Sequence, residues 1–248
     1  MILQPTTADE PLVDYPTGDG KPVGETPIHR DNLLGLIQVL RRHYTGRDDL
    51  YISGNMFMFY VRGDKRKHVS PDVFVTFDIP NRDRDAYFTW IEGKGPDVVF
   101  EFTSRTTRSE DLKKKFQLYE RTLQVPEYFL FDPKQEYLKP SMRGYRLEHG
   151  VYSPIAFENS RLPSRVLGLD LERQGEVLRL YDPIRGAWVP TDEEAVETAE
   201  AWAAAVAADA EAKQRRLMET IERFDSEREE MRREIEALKR RLSEGNGR

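Results

Sequence analysis

Beyond Pro190 the chain has no proline, and its apolar residues fall into a heptad rhythm. Leu217, Ile221, Phe224, Arg228, Met231, Ile235, Leu238 and Leu242 are separated by alternating steps of four and three, and all but Arg228 are apolar. The residues between them are rich in Glu and Arg, which with that spacing is the pattern of a coiled coil. Ala203, Ala207 and Ala210 hold the same phase upstream with small side chains. Residues 191–248 are therefore expected to form a helix separate from the rest of the chain. From about Asp192 to Ser243 it would extend ~75–80 Å at about 1.5 Å per residue, too far to lie along the remaining body without projecting. Alone it exposes the stripe, whereas pairing with a copy of itself buries it, so a homodimer through this coiled coil is expected. Arg228 interrupts the seam, and a long charged side chain snorkels to water more easily from two strands than from three or four. Two strands are expected, and the spacing leaves their direction open.

Charge divides at the same place. Residues 191–248 hold 16 Asp/Glu against 11 Lys/Arg, which leaves 28 acids and 27 bases of the chain's 44 and 38 for residues 1–190. A nearly neutral body does not advertise nucleic-acid binding by charge, although an enzyme touching DNA only around a cleavage site need not do so. The absence of cysteine excludes disulfides, zinc–thiolate sites and thiol nucleophiles. His29, His43, His68 and His149 have no metal-ligand spacing. No apolar run approaches the ~18 residues of a membrane span, and Met1-Ile2-Leu3-Gln4 begins no signal peptide. A cytoplasmic protein with no membrane contact is expected.

Residues 1–24, rich in Pro, Gly, Asp and Thr, read as an extended arm. Residues 25–190 then read as one domain. Thr26 as N-cap and Pro27 at the first helical position open a helix carrying Leu33, Ile37, Leu40 and Tyr44 on one face. "LYISGNMFMFYV" and "SPDVFVTFD" read as strands, the second opened by a proline. After a link around Trp90 come the strand containing "VVFEF", a helix from about Ser109 to Leu123, and the strand "EYFLFDP". Two hairpin-like segments, "GYRLEHGVYSPI" and "VLRLYDPIRGAWVP", follow. The order predicts a mixed α/β domain whose central sheet is covered by helices.

Within "VVFEF" Glu101 is out of place, because a buried carboxylate is costly unless its charge is offset. Asp97, four residues back on the same strand, would be ~13 Å away, too far to share an ion whose oxygen ligands sit at about 2.0–2.1 Å. Asp72 opens the neighbouring strand, and strands lie only about 4.8 Å apart, so Asp72 with Glu101 is the possible pair. Asp97 reads as a strand-entry residue. On the following helix Leu112, Phe116, Tyr119 and Leu123 form one apolar face at about 100° per residue. Lys115 flanks that face, while Lys113 and Lys114 point elsewhere. Thr107 and Glu110 have the spacing of a capping box.

"SPDVFVTFD", "PDVVFEFTSRTTRSEDLKKKFQLY" and "VPEYFLFDP" resemble successive motifs of the Uma-type restriction endonucleases, a family of the PD-(D/E)xK nuclease superfamily. The resemblance covers about residues 25–190 and implies a restriction-endonuclease-like core. It implies Asp72 and Glu101 as metal-binding acids and Lys115 as the catalytic lysine. In the superfamily that lysine normally stands two residues after the glutamate, where this chain has Thr103. Glu25, His29, Ser104 and Tyr119 match further family positions and are candidate supporting residues. Asp132 reads as structural. The activity implied is hydrolysis of DNA phosphodiesters with Mg²⁺, for which Mn²⁺ can substitute. The rival reading is a non-catalytic DNA-binding or assembly module built on the same scaffold.

Overall fold

The computed structural model describes residues 15–18, 26–105 and 107–245. By internal contacts the chain forms two units, Met1–Asp192 and Glu193–Arg248. The first helix, α1 (Pro27–His43), begins as its sequence suggests: Thr26 is extended, its hydroxyl accepts the His29 N–H at 3.4 Å, and proline occupies the first turn. Arg41, Arg42 and His43 in the last turn complement the negative end of the helix dipole.

Among the described residues thirteen strands follow in chain order: β1 (Leu50–Ser53), β2 (Met58–Phe59), β3 (His68–Val69), β4 (Val73–Phe77), β5 (Tyr87–Phe88), β6 (Val98–Phe102), β7 (Glu127–Phe131), β8 (Met142–Glu148), β9 (Val151–Pro154), β10 (Leu162–Ser164), β11 (Leu169–Gln174), β12 (Val177–Asp182) and β13 (Ala187–Trp188). The short helix α2 (Thr89–Glu92) lies at the link around Trp90, and α3 (Asp192–Gly245) ends the described chain. Six strands form the central sheet in the order β1-β4-β6-β7-β8-β9, parallel only between β6 and β7. Strands β10–β13 form a second sheet, and β3-β2-β5 a third.

Side chains alternate across a strand, so the central sheet has two faces. Val73, Val75, Val98, Phe100 and Phe102 pack with Leu33, Leu36 and Leu40 of α1 and with Leu171 and Leu180 of the second sheet. Phe74, Val99, Tyr128 and Leu130 pack on the opposite face with Tyr119. Glu101, two residues after Val99, shares the Tyr119 face.

Three features differ from the sequence expectations. "LYISGNMFMFYV" is two strands in different sheets, because Gly54 and Asn55 break it: Asn55 is left-handed at φ 49° and donates its N–H to the Pro71 carbonyl at 2.9 Å. The helix expected over Ser109–Leu123 is helical but largely of the wider π type, over Glu110–Lys115 and Leu118–Thr122. That widening turns two adjacent side chains inward, Tyr119 and Glu120, the latter accepting the Tyr152 N–H of β9 at 3.0 Å. The Thr107–Glu110 capping box does not form: the Thr107 hydroxyl accepts the Ser104 N–H at 3.0 Å, and the Glu110 N–H goes to the Thr107 carbonyl. Of the arm expected over 1–24, residues 15–18 are described; Tyr15 is buried, its hydroxyl accepting the Gly63 N–H and its ring packed on Phe59 and Phe88.

The architecture is mixed α/β, with a mixed central sheet flanked by helices and a long C-terminal helix. Among the described residues no helix is long and apolar enough to cross a membrane.

Candidate active site

Strands β4 and β6 are antiparallel with Val73 opposite Phe100, so one further step sets Asp72 opposite Glu101 at the sheet's end. Asp72 Oδ2 accepts the Phe102 N–H at 2.7 Å, and its Oδ1 lies 3.5 Å from His29 Nε2 at the start of α1. The buried Glu101 has a partner on each oxygen: Lys115 Nζ donates to Oε2 at 2.7 Å and the Tyr119 hydroxyl to Oε1 at 2.7 Å. Lys115 Nζ also lies 3.5 Å from the Ser70 carbonyl and 3.5 Å from Asp111 Oδ1. Lys113 and Lys114 are exposed.

The β6-to-β7 crossover makes this convergence local. Parallel neighbours require a crossover connection, and here that connection is the π-widened helix, laid over the face that Glu101 shares. Asp111, Lys115 and Tyr119, four residues apart, all turn toward the sheet.

The remaining sequence candidates are placed as follows. Ser104 pairs its side chain with Thr107 at 3.1 Å and lines the cleft above Asp72. Asp132 accepts the Lys134 N–H at 3.2 Å and the Leu138 N–H at 2.8 Å, holding the turn after β7. Asp97 accepts the Phe77 N–H at 2.7 Å and pairs with Lys94 at 2.8 Å, fixing the entry of β6 at the other end of the strand from Glu101. Glu25 lies outside the described residues. The cleft, about 430 Å³, is also lined by His29, Arg105, Lys134 and Tyr137. Asp72 opens onto it.

Asp111 is the residue that sequence reasoning passed over, although it stands one turn before Lys115 just as Lys115 stands one turn before Tyr119. Its carboxylate is buried beside the Lys115 ammonium, 3.5 Å from Oδ1, and neither oxygen is held by a short hydrogen bond among the described residues. Burial pushes its pKa up to about 6, the Lys115 charge only partly opposing this. Glu101 is also raised, by burial first, with Lys115 opposing and the Asp72 and Asp111 charges adding. Asp72 goes the other way: burial would raise it, but the His29 contact, the Lys115 charge and the Phe102 N–H together hold it below the usual carboxylate range. Lys115 resists its own burial because three acids surround it, so it remains an ammonium. Tyr119 is raised by burial and by Glu101, and stays a protonated donor.

Three carboxyl groups thus surround one ammonium. Among the described residues no three acids or histidines stand in a ready-made metal-binding cluster. The donor chemistry nonetheless fits a hard divalent cation: all ligating atoms are oxygens, Asp72 is held ionised, each Glu101 oxygen keeps lone-pair capacity, and the buried Asp111 carboxyl stands beside them.

The Uma2 family model, described as "Putative restriction endonuclease", matches residues 4–180. Among solved structures the chain is similar to the crystal structure of "a putative nuclease belonging to DUF820" from Anabaena variabilis ATCC 29413, at 13% identity and a TM-score of 0.42, over 63% of this chain and 79% of that one. No curated protein matches the sequence.

Proposed function

As the chain belongs to the Uma2 family of restriction-endonuclease-like proteins, we propose that it is a DNA endonuclease that hydrolyses phosphodiester bonds at Asp72, Glu101 and Lys115. The observation that carries this is Lys115: the first lysine of this region to face inward lies fourteen residues beyond Glu101, yet its ammonium sits 2.7 Å from that carboxylate. Asp72 and Glu101 would hold a magnesium ion, with manganese a possible substitute, and such an ion supplies polarisation of the phosphate and acidification of the attacking water.

The chain's own groups have distinct tasks. Asp72, ionised and facing the cleft, holds charge where a cation and a phosphate must meet. Tyr119 and the backbone N–H of Phe102 fix the two carboxylates against rotation, so little reorganisation remains when substrate arrives. Lys115 offsets charge growing on the phosphoryl oxygens in the transition state. Arg105 and Lys134 at the cleft mouth suit the DNA backbone. We further propose that the protein acts as a homodimer through α3.

The test is cleavage of plasmid DNA in Mg²⁺ by the parent, Asp72→Asn and Glu101→Gln, with melting curves alongside. Cleavage by the parent, abolished in both folded variants, is expected. A parent that cleaves under no divalent ion, and whose melting is unmoved by Mg²⁺, favours the non-catalytic scaffold instead.

A further inference from the structure

The seam of α3 has a direction encoded beside it. With Ile221 at heptad position a, the seam places Ile221, Arg228 and Ile235 at a, and Leu217, Phe224, Met231 and Leu238 at d. The six apolar members are between 45% and 60% exposed, a continuous stripe with no partner among the described residues. Within parallel coils, isoleucine at a with leucine at d favours two strands, as for Ile221 and Ile235 with Leu217 and Leu238.

The flanking charges carry the direction. Positions g are Thr220, Glu227, Glu234 and Arg241, and the e positions that follow the first three are Asp225, Arg232 and Lys239. In a parallel, in-register pair, each g residue meets the next e residue of the other helix. That gives Glu227 against Arg232 and Glu234 against Lys239, each occurring twice by symmetry. An antiparallel pair sets g against g and e against e: with Ile221 beside Leu238 and Ile235 beside Phe224, Glu227 meets Glu234 while Asp225 meets Arg232, so repulsion offsets attraction, whereas the charged g–e pairs of the parallel arrangement are attractive only.

The outer face behaves differently. Glu229 pairs with Arg233 at 3.8 Å and Glu236 with Arg240 at 3.9 Å, both along one helix. Glu227, Arg232, Glu234 and Lys239 form no such pair among the described residues. Arg228, the one charge in the seam, is met by Asp225 of its own helix at 2.9 Å.

We infer that the occupant of this stripe is a second copy of the chain, in parallel and in register, with Glu227–Arg232 and Glu234–Lys239 as the pairs that set direction. This deepens the dimer reading and is independent of the nuclease reading. By chain connectivity, both N-terminal units then lie at the same end of the coil.

The chain has no cysteine, so single-cysteine variants of the full-length protein report direction cleanly. Leu217→Cys and Leu238→Cys stand about 31 Å apart at 1.5 Å per residue. A parallel pair brings each against its own copy; an antiparallel pair can do so for one of them at most. Both variants are expected to form disulfide-linked dimers under mild oxidation, and Ser226→Cys on the outer face is expected not to. Glu227→Lys with Glu234→Lys should raise the dimer dissociation constant about tenfold or more, and adding Arg232→Glu with Lys239→Glu should restore it. A dimer in which only one or neither seam cysteine links overturns the parallel arrangement. A monomeric parent by light scattering overturns the coil itself. Neither result depends on whether the protein cuts DNA.

Discussion

Lys115 and Lys114 are neighbours in sequence with opposite surroundings, one among three acids and the other in solvent. Lys115→Ala is expected to lower cleavage at least a hundredfold, on the scale of losing one transition-state charge contact, while Lys114→Ala leaves it within about twofold. Equal losses measured in one plasmid assay would remove Lys115 from the site. Asp111 gives a second residue-level prediction, through stability. Its folded-state pKa, about 6, is raised above the unfolded 3.8, so the folded protein binds the extra proton between those values. The associated stability is present at low pH and lost as pH rises through about 6. Asp111→Asn mimics the protonated form. In metal-free buffer the variant should therefore match the parent near pH 4 and exceed it at pH 8 by up to ~3 kcal/mol, about two pKa units. Urea titrations at the two pH values check this, and a difference independent of pH would contradict it.

At the scale of elements, the site depends on how tightly the end of β1 meets the start of β4. A Cβ added at Gly54 would stand 2.0 Å from the Asp72 carbonyl oxygen, with Ile37 of α1 also at 3.2 Å. Backbone, not a flexible side chain, would have to move. Gly54→Ala is expected to destabilise by ~1–3 kcal/mol, as overpacking does, and to weaken cleavage because the part displaced is Asp72 itself. Gly35, inside α1, has nothing within 4 Å of an added Cβ. Gly35→Ala should raise stability by ~0.5–1 kcal/mol through helix propensity alone and leave cleavage unchanged. Thermal melts and plasmid assays on the pair separate crowding from propensity; an unaffected Gly54→Ala would mean the β1–β4 junction is looser than its geometry indicates.

For the whole molecule, the two units have different grounds for stability. Residues up to Asp192 carry hydrophobic clusters on both faces of the central sheet, whereas α3 exposes its apolar stripe, which the proposed pairing would bury. Light scattering should give a dimer for the full chain and a monomer for residues 1–190. A dimeric shortened chain would move the interface into the sheet-containing unit. In a dimer two sites are available to one duplex, so the full chain should yield more linear product relative to nicked circles than the shortened chain at equal site concentration.

The sequence by itself determined whatever depends on a local period. The unbroken heptad phase of residues 217–242 and the absence of proline beyond Pro190 point to a helix. Short apolar, aromatic-rich runs mark β6 and β7, and the ~3.3 Å rise of a strand rules Asp97 out as a partner of Glu101 while leaving Asp72. Family-specific spacing in the middle of the chain was also legible. The remaining features follow from contacts between residues remote in the chain. Gly54 and Asn55 divide an apparently continuous strand because the Pro71 backbone takes the Asn55 N–H. The widened helix after β6 turns both Tyr119 and Glu120 inward, toward Glu101 and Tyr152, contacts remote in sequence. His29 comes within 3.5 Å of Asp72 because α1 covers that end of the sheet. Asp111 reads in sequence as one more acid near a helix start. It becomes a buried carboxylate beside Lys115 only because the crossover lays its helix against β6, and burial of charge belongs to the assembled fold.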